Sequence, residues 1–141
     1  MERRGRRGRR GRGVPQKPQF VPLSSLEPGG TNVNVHVEAM EQPNLIMEKQ
    51  RLDGSTAKQW EVLVGDSSGC MNLRIPKEEV VEMIQEGTSL TVRNGFIEMV
   101  NEKFMRLATN IWGKLEVAPS AHEFSANSSV NFSQQEYELE K

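Results

Sequence analysis

Residues 60–99 read WEVLVGDSSGCMNLRIPKEEVVEMIQEGTSLTVRNGFIEM, and this stretch decides the fold. Trp60, Val62 and Val64 recur at every second position, as a strand with one buried face requires. Asp66-Ser67-Ser68-Gly69 has the residues of a tight hairpin turn. Met71, Leu73 and Ile75 resume the alternation and leave Asn72 and Arg74 on the opposite face. Pro76 has no N–H to give a ladder and ends that strand. Lys77 to Glu86 then predicts a short helix. Val80, Val81 and Ile84 share one side, acidic residues fill the first turn, and Gly87 stops it. Leu90 and Val92 open another strand. Gly95 falls mid-strand, where glycine marks a bulge or bend. Beyond it Ile97 and Met99 recover the inward parity, and Phe96 and Glu98 point outward.

On the N-terminal side, Phe20 to Leu23 and Leu26 to Gly30 read as a lead-in strand and a turn. Val33, Val35, Val37 and Ala39 form a half-buried strand. Glu41 to Thr56 is polar, holds Pro43 and Asp53-Gly54, and reads as a long loop. On the C-terminal side, Asn101-Glu102 is a turn. Phe104 to Thr109 is a strand with Met105 and Leu107 inward and Phe104, Arg106 and Ala108 outward. Trp112 to Val117 continues extended, residues 118–131 read as loose, and Val130 to Leu139 suits a last edge strand or a tail. Five strands with a helix between the third and fourth is the order of the OB fold. It is an all-β barrel whose second and third strands, with the flanking loops, form a ligand groove.

Three regions follow: an arm and linker at 1–18, the barrel at 19–117, and a C-terminal extension at 118–141. Residues 3–13 read RRGRRGRRGRG, with nothing apolar to bury and strong self-repulsion, so disorder is expected there. The overall charge of −1 conceals a split. Residues 1–12 hold seven Arg and one Glu, whereas residues 13–141 hold 11 Lys and Arg against 18 Asp and Glu. A basic arm on an acidic body is a sign of a polyanion partner. The single cysteine, Cys70, rules out an internal disulfide and suits a reducing compartment as a small buried apolar residue. No apolar run approaches the roughly 20 residues that span a bilayer, and no secretory signal is expected. His36 and His122 are too isolated for a metal site. No nucleophile with a base and no phosphate-cradling glycine loop is legible, so neither an enzyme, a cofactor nor a small-molecule substrate is expected.

The order of motifs resembles a known family. Phe20-Val21, Leu26 to Gly29 and Asn32 to Val35 are similar to the opening of the OB-fold proteins related to the B subunit of the SOSS single-stranded DNA sensor complex. Val64 to Met71 resembles their central hairpin, and Ile84 to Gly87 with Leu90 their helix end. Arg93-Asn94, Ile97 to Met99, Met105 to Leu107, Trp112 to Glu116 and Tyr137 to Leu139 resemble a plant and protist branch of single-stranded-DNA-binding OB proteins. The resemblance covers about residues 19–140 and implies non-catalytic single-strand binding. It also exposes departures. Three positions where the sensor proteins stack bases on aromatics fall on Pro76, Val100 and Ala108, which leaves Phe96.

The candidate contacts to single-stranded DNA or RNA are therefore these. Arg3, Arg4, Arg6, Arg7, Arg9, Arg10 and Arg12 would meet phosphates from the arm. Lys49, Arg51 and Lys58 lie in or beside the loop between the first two strands. Arg74, Arg93 and Arg106 share outward parity and would form a stripe. Phe96 and Phe104 would stack bases, and Asn72 would hydrogen-bond a base edge. Trp60 shares parity with Val62 and Val64 and is expected to pack in the barrel. The competing expectation is a protein-interaction barrel within a nucleic-acid-processing complex, with the arm for targeting or non-specific contact. A nuclear location is expected, with the cytoplasm as the alternative.

Overall fold

The computed structural model describes residues 19–110 and 113–137. The described residues form seven strands: β1 (Thr31–Ala39), β2 (Asn44–Gln50), β3 (Thr56–Asp66), β4 (Gly69–Ile75), β5 (Ser89–Val100), β6 (Phe104–Ala108) and β7 (Lys114–Val117). Neighbours run β1-β3-β4-β6-β5, and β5 pairs back with β1, so the sheet closes on itself as an OB fold. β4 and β6 run parallel through Leu73 and Leu107, and the other pairings are antiparallel. Closure leaves no free edge on the ring itself.

The inward parities are those that strand periodicity demands. Val35, Val37, Val62, Val64, Leu73, Leu90, Val92 and Leu107 are fully enclosed. Burying each such side chain is worth about 1.5–3 kcal/mol. The bulge expected at Gly95 is present. Val33 faces Gly95 but Val35 faces Val92, a register shift at that point. A Cβ on Gly95 would stand 2.9 Å from the Ala108 carbonyl oxygen and 3.0 Å from a Val92 methyl, so no side chain fits.

Three expectations are corrected. The stretch Glu41 to Thr56 is not a loop, because β2 pairs along β3 from Asn44 opposite Glu61 to Gln50 opposite Thr56. All seven β2 residues are exposed, so the hairpin stands off the barrel and shows no burial alternation to read. Its end is a turn in which Asp53 Oδ1 accepts from the Ser55 amide at 2.9 Å and Gly54 takes φ +89°. The expected helix over Lys77 to Glu86 is one turn, α1 (Glu78–Val81). Its β-branched Val80 and Val81 and its crowded glutamates resist propagation. Gly87 at φ +92° then directs its amide to the Ala39 carbonyl at 2.7 Å. Of the two expectations for Val130 to Leu139, the edge strand is not formed by the described residues 130–137, and residues 138–139 lie outside them. Asn131 makes only an isolated bridge with Cys70, and Phe132–Gln134 is a 3-10 turn capped by the Asn131 side chain.

That C-terminal segment is tied to the barrel, and so are parts of residues 118–131, for which a loose chain is expected. The Cys70 amide donates to the Val130 carbonyl at 2.8 Å, and the Tyr137 amide to the Lys103 carbonyl at 2.8 Å. The Asn127 amide donates to the Asp66 carbonyl at 2.8 Å. Asp66 itself does more than turn the chain: its Oδ2 accepts from the Leu23 amide at 2.9 Å and its Oδ1 from the Ser68 amide at 2.8 Å. The lead-in segment is thereby fastened to the central hairpin.

Candidate nucleic-acid interface

The outer face of β3, β4, β6 and β5 carries the charged side chains that the inward parity leaves over. Glu61 stands opposite Arg74, and Glu98 opposite Arg106. The two arginines do not stand free. Arg74 grips Glu98 with both its Nε and Nη2, each at 3.1 Å, in the bidentate fork that guanidinium and carboxylate favour. Arg106 donates to the same Glu98 carboxylate and, through Nη1, to Glu61 Oε2 at 3.0 Å. The Arg106 side chain is 14% exposed, and Arg74, Glu98 and Glu61 are 27, 22 and 21% exposed. The result is a half-buried, electrically balanced group of two cations and two anions.

Phe96 lies two positions before Glu98 on β5, on the same outer side. It is half-buried and faces Ala108 on β6. Phe104 is half-buried opposite Val100, at the β5–β6 turn. Asn72 is half-buried opposite Leu63, and its amide donates to Ser133 Oγ at 2.8 Å, so the C-terminal segment crosses this end of the face.

Arg93 stands apart from the other two arginines. It faces Lys114 on β7, pairs with Glu116 at 3.4 Å and lies 5.4 Å over the Phe20 ring. The expected stripe of three is therefore a pair plus one. Lys49, Arg51 and Lys58 all ride on the projecting β2–β3 hairpin. Lys58 faces Glu48 and reaches Glu78 at 3.7 Å, and Arg51 bonds Ser55 Oγ at 3.2 Å. The arm arginines from Arg3 to Arg12, and also Trp112, lie outside the described residues.

Two features escape the sequence reading. Glu61 and Glu98 have the same outward parity as Arg74 and Arg106, which puts all four on one face once the strands are paired. The hairpin also exposes Leu45, Ile46, Met47 and Leu52, an apolar set inside a polar stretch. Trp60, expected to pack in the barrel, is half-buried between Leu45 and Ile75, with its indole N–H enclosed and unpartnered. Burial pushes the Cys70 thiol up and away from reactivity.

On the opposite flank, rings from three segments stack: Phe20 on His36 at 3.9 Å, His36 near His122 at 4.9 Å, and His122 on Phe124 at 5.3 Å. Desolvation, then the neighbouring His122 and Arg93, hold the exposed His36 ring below the usual imidazole range. The Thr91 hydroxyl meets its Nδ1 at 3.3 Å, and the Leu90 carbonyl accepts from His122 Nε2 at 2.9 Å. Among the described residues no three His, Cys, Asp or Glu side chains gather to hold a metal ion, and no helix is long and apolar enough to cross a membrane.

Comparison with known proteins supplies the context for this face. A family model described as a single-stranded DNA-binding protein of Ssb-like type with an OB fold matches residues 26–117. The uncharacterized protein At4g28440 of Arabidopsis thaliana is 32% identical over 135 residues, 89% of this chain and 86% of that protein. The solution structure of the hypothetical protein F20O9.120, also from Arabidopsis thaliana, superposes with a TM-score of 0.69 at 29% identity over 95% of this chain and 96% of that one. The replication factor A related protein of Methanobacterium thermoautotrophicum shares the fold at 16% identity and a TM-score of 0.58, over 74% of this chain and 96% of that one.

Proposed function

The chain belongs to the Ssb-like family of OB-fold single-stranded DNA-binding proteins, and from that membership we propose that it binds single-stranded nucleic acid, without catalysis, on the outer face of β3, β4, β6 and β5. The observation that carries the reading is one juxtaposition. Arg74 lies on the third barrel strand, part of the face that OB folds use for oligonucleotides, with Arg106 and Phe96 on the two strands that continue the sheet beside it. Guanidinium groups suit phosphate, and an aromatic ring stacks any base. Phe104 would extend the stack, and Lys49 and Arg51 on the hairpin would follow the backbone. The arginine-glycine arm adds a sequence-independent polycation that raises affinity for DNA and RNA alike. Kinship with the SOSS sensor proteins, service in DNA repair and a nuclear location complete the proposal.

Fluorescence anisotropy with labelled oligo-dT, oligo-U and a matched duplex tests it. Chains with and without residues 1–13 should both prefer single strands. Loss of all binding with the arm, together with equal affinity for duplex, would show the face to be no ligand site.

A second reading rests on the hairpin. Leu52 is fully exposed at its turn and Met47 is 53% exposed on its free strand, a combination that suits a protein component of a larger complex. Under that reading the barrel docks a partner and the arm alone meets nucleic acid.

A further inference from the structure

We infer that Glu98 is an internal counter-anion of the single-strand face, holding Arg74 and Arg106 in place of phosphate, so that a nucleic-acid strand binds there only by displacing it. This rests on the reading of that face as the binding site and concerns how its affinity is set.

The geometry is specific. One carboxylate accepts from two guanidinium groups on two different strands, bidentate from Arg74, while Glu61 takes a further Arg106 N–H. A phosphate offers the same kind of acceptor oxygens, so ligand and carboxylate compete for the same donors. The four residues sum to zero charge, and together they present no net cation to a strand. Exchange also leaves Glu98 without its partners close to the incoming phosphates, where it repels them and draws a cation back from solution.

The consequence is unusual salt behaviour. A strand bound by free cations releases condensed counterions, and log K falls with log salt at about 0.7 per phosphate neutralised on single strands. Where an internal carboxylate must be displaced and re-screened, part of that release is cancelled. The face then binds weakly with a shallow salt slope, and the arm supplies the salt-sensitive share.

The experiment compares the full chain with its Glu98→Gln variant, using labelled oligo-dT of about 15 nucleotides, near the upper span of one OB fold, across a salt series. The substitution keeps the side chain's size and one acceptor oxygen but removes the charge. The expected result is binding tighter by about 5–10-fold and a slope steeper by about 0.7–1.4, one or two phosphates' worth. Glu61→Gln, which releases only one Arg106 bond, should give a smaller gain in the same direction. Glu116→Gln changes net charge equally but frees Arg93 on the other flank, and should shift affinity less than about 2-fold. Thermal melts establish that each variant is folded. If Glu98→Gln is unfolded, the Glu61→Gln gain decides the matter. Unchanged or weaker binding by a folded Glu98→Gln overturns the inference, because Glu98 then positions the arginines and does not compete for them. An equal gain from Glu116→Gln overturns it too, as a plain net-charge effect. If only the Glu98→Gln gain is missing while the chain lacking residues 1–13 still prefers the single strand over duplex, the reading of the face stands. If neither chain binds, both fall.

Discussion

Gly69 begins β4 and also seats the C-terminal segment. A Cβ there would stand 2.5 Å from the Phe132 ring and 2.9 Å from the Val130 carbonyl oxygen. Gly69→Ala should therefore push Phe132 off the barrel and cost about 1–3 kcal/mol, the usual range for overpacking, read by urea unfolding. A cost within about 0.5 kcal/mol would mean the segment yields freely. At the candidate site, Phe96→Ala should weaken oligo-dT binding by the worth of one stacked base, about 1–3 kcal/mol. His36 carries a pH prediction. Desolvation, His122 and Arg93 depress its pKa in the folded chain, so below its usual range near 6.5 the unfolded state binds more protons. The stability contribution is complete above about pH 6.5 and is lost as pH falls through the folded value. Melting temperature should hold steady above about pH 6.5 and drop below it, and His36→Gln should flatten that drop.

At the scale of elements, strand periodicity makes the five barrel strands and the Gly95 bulge legible in the chain alone. Burial on one face writes a period of two into Val33 to Ala39 and Met71 to Ile75. The β2 hairpin leaves no such mark, because every residue from Asn44 to Gln50 is exposed and its ladder rests on backbone bonds. The pattern over Lys77 to Glu86 suggests too long a helix because Val80, Val81 and Ile84 share a side in a helix, yet Ile84 reaches the core through a turn after Val81. Parity places Arg74 and Arg106 outward, but it says nothing of register, so their carboxylate partners are not legible from it. Only the pairing of β3 with β4 and β5 with β6, joined through β4 and β6, brings Glu61 and Glu98 to Arg74 and Arg106. The projecting hairpin should also be the least protected part of the sheet. Native-state hydrogen exchange should show β2 amides opening well before those of β1 and β5, which the closed ring holds. Equal protection would mean that the hairpin is packed against something in solution.

The whole molecule divides its charge between a basic arm and an acidic barrel that neutralises its own surface arginines. Under the proposed function, attraction to a polyanion and recognition of a single strand are separable: the arm would supply long-range, salt-sensitive capture, and the barrel the preference for unpaired bases. The measurement that bears most directly on this is anisotropy of the chain lacking residues 1–13 with labelled oligo-dT and with a duplex of matched length, at one low salt concentration. The shortened chain should bind the single strand measurably, though more weakly than the full chain does, and should bind duplex at least several-fold more weakly still. No binding to either, while the full chain binds both equally, would contradict this and leave the barrel as a protein-docking module.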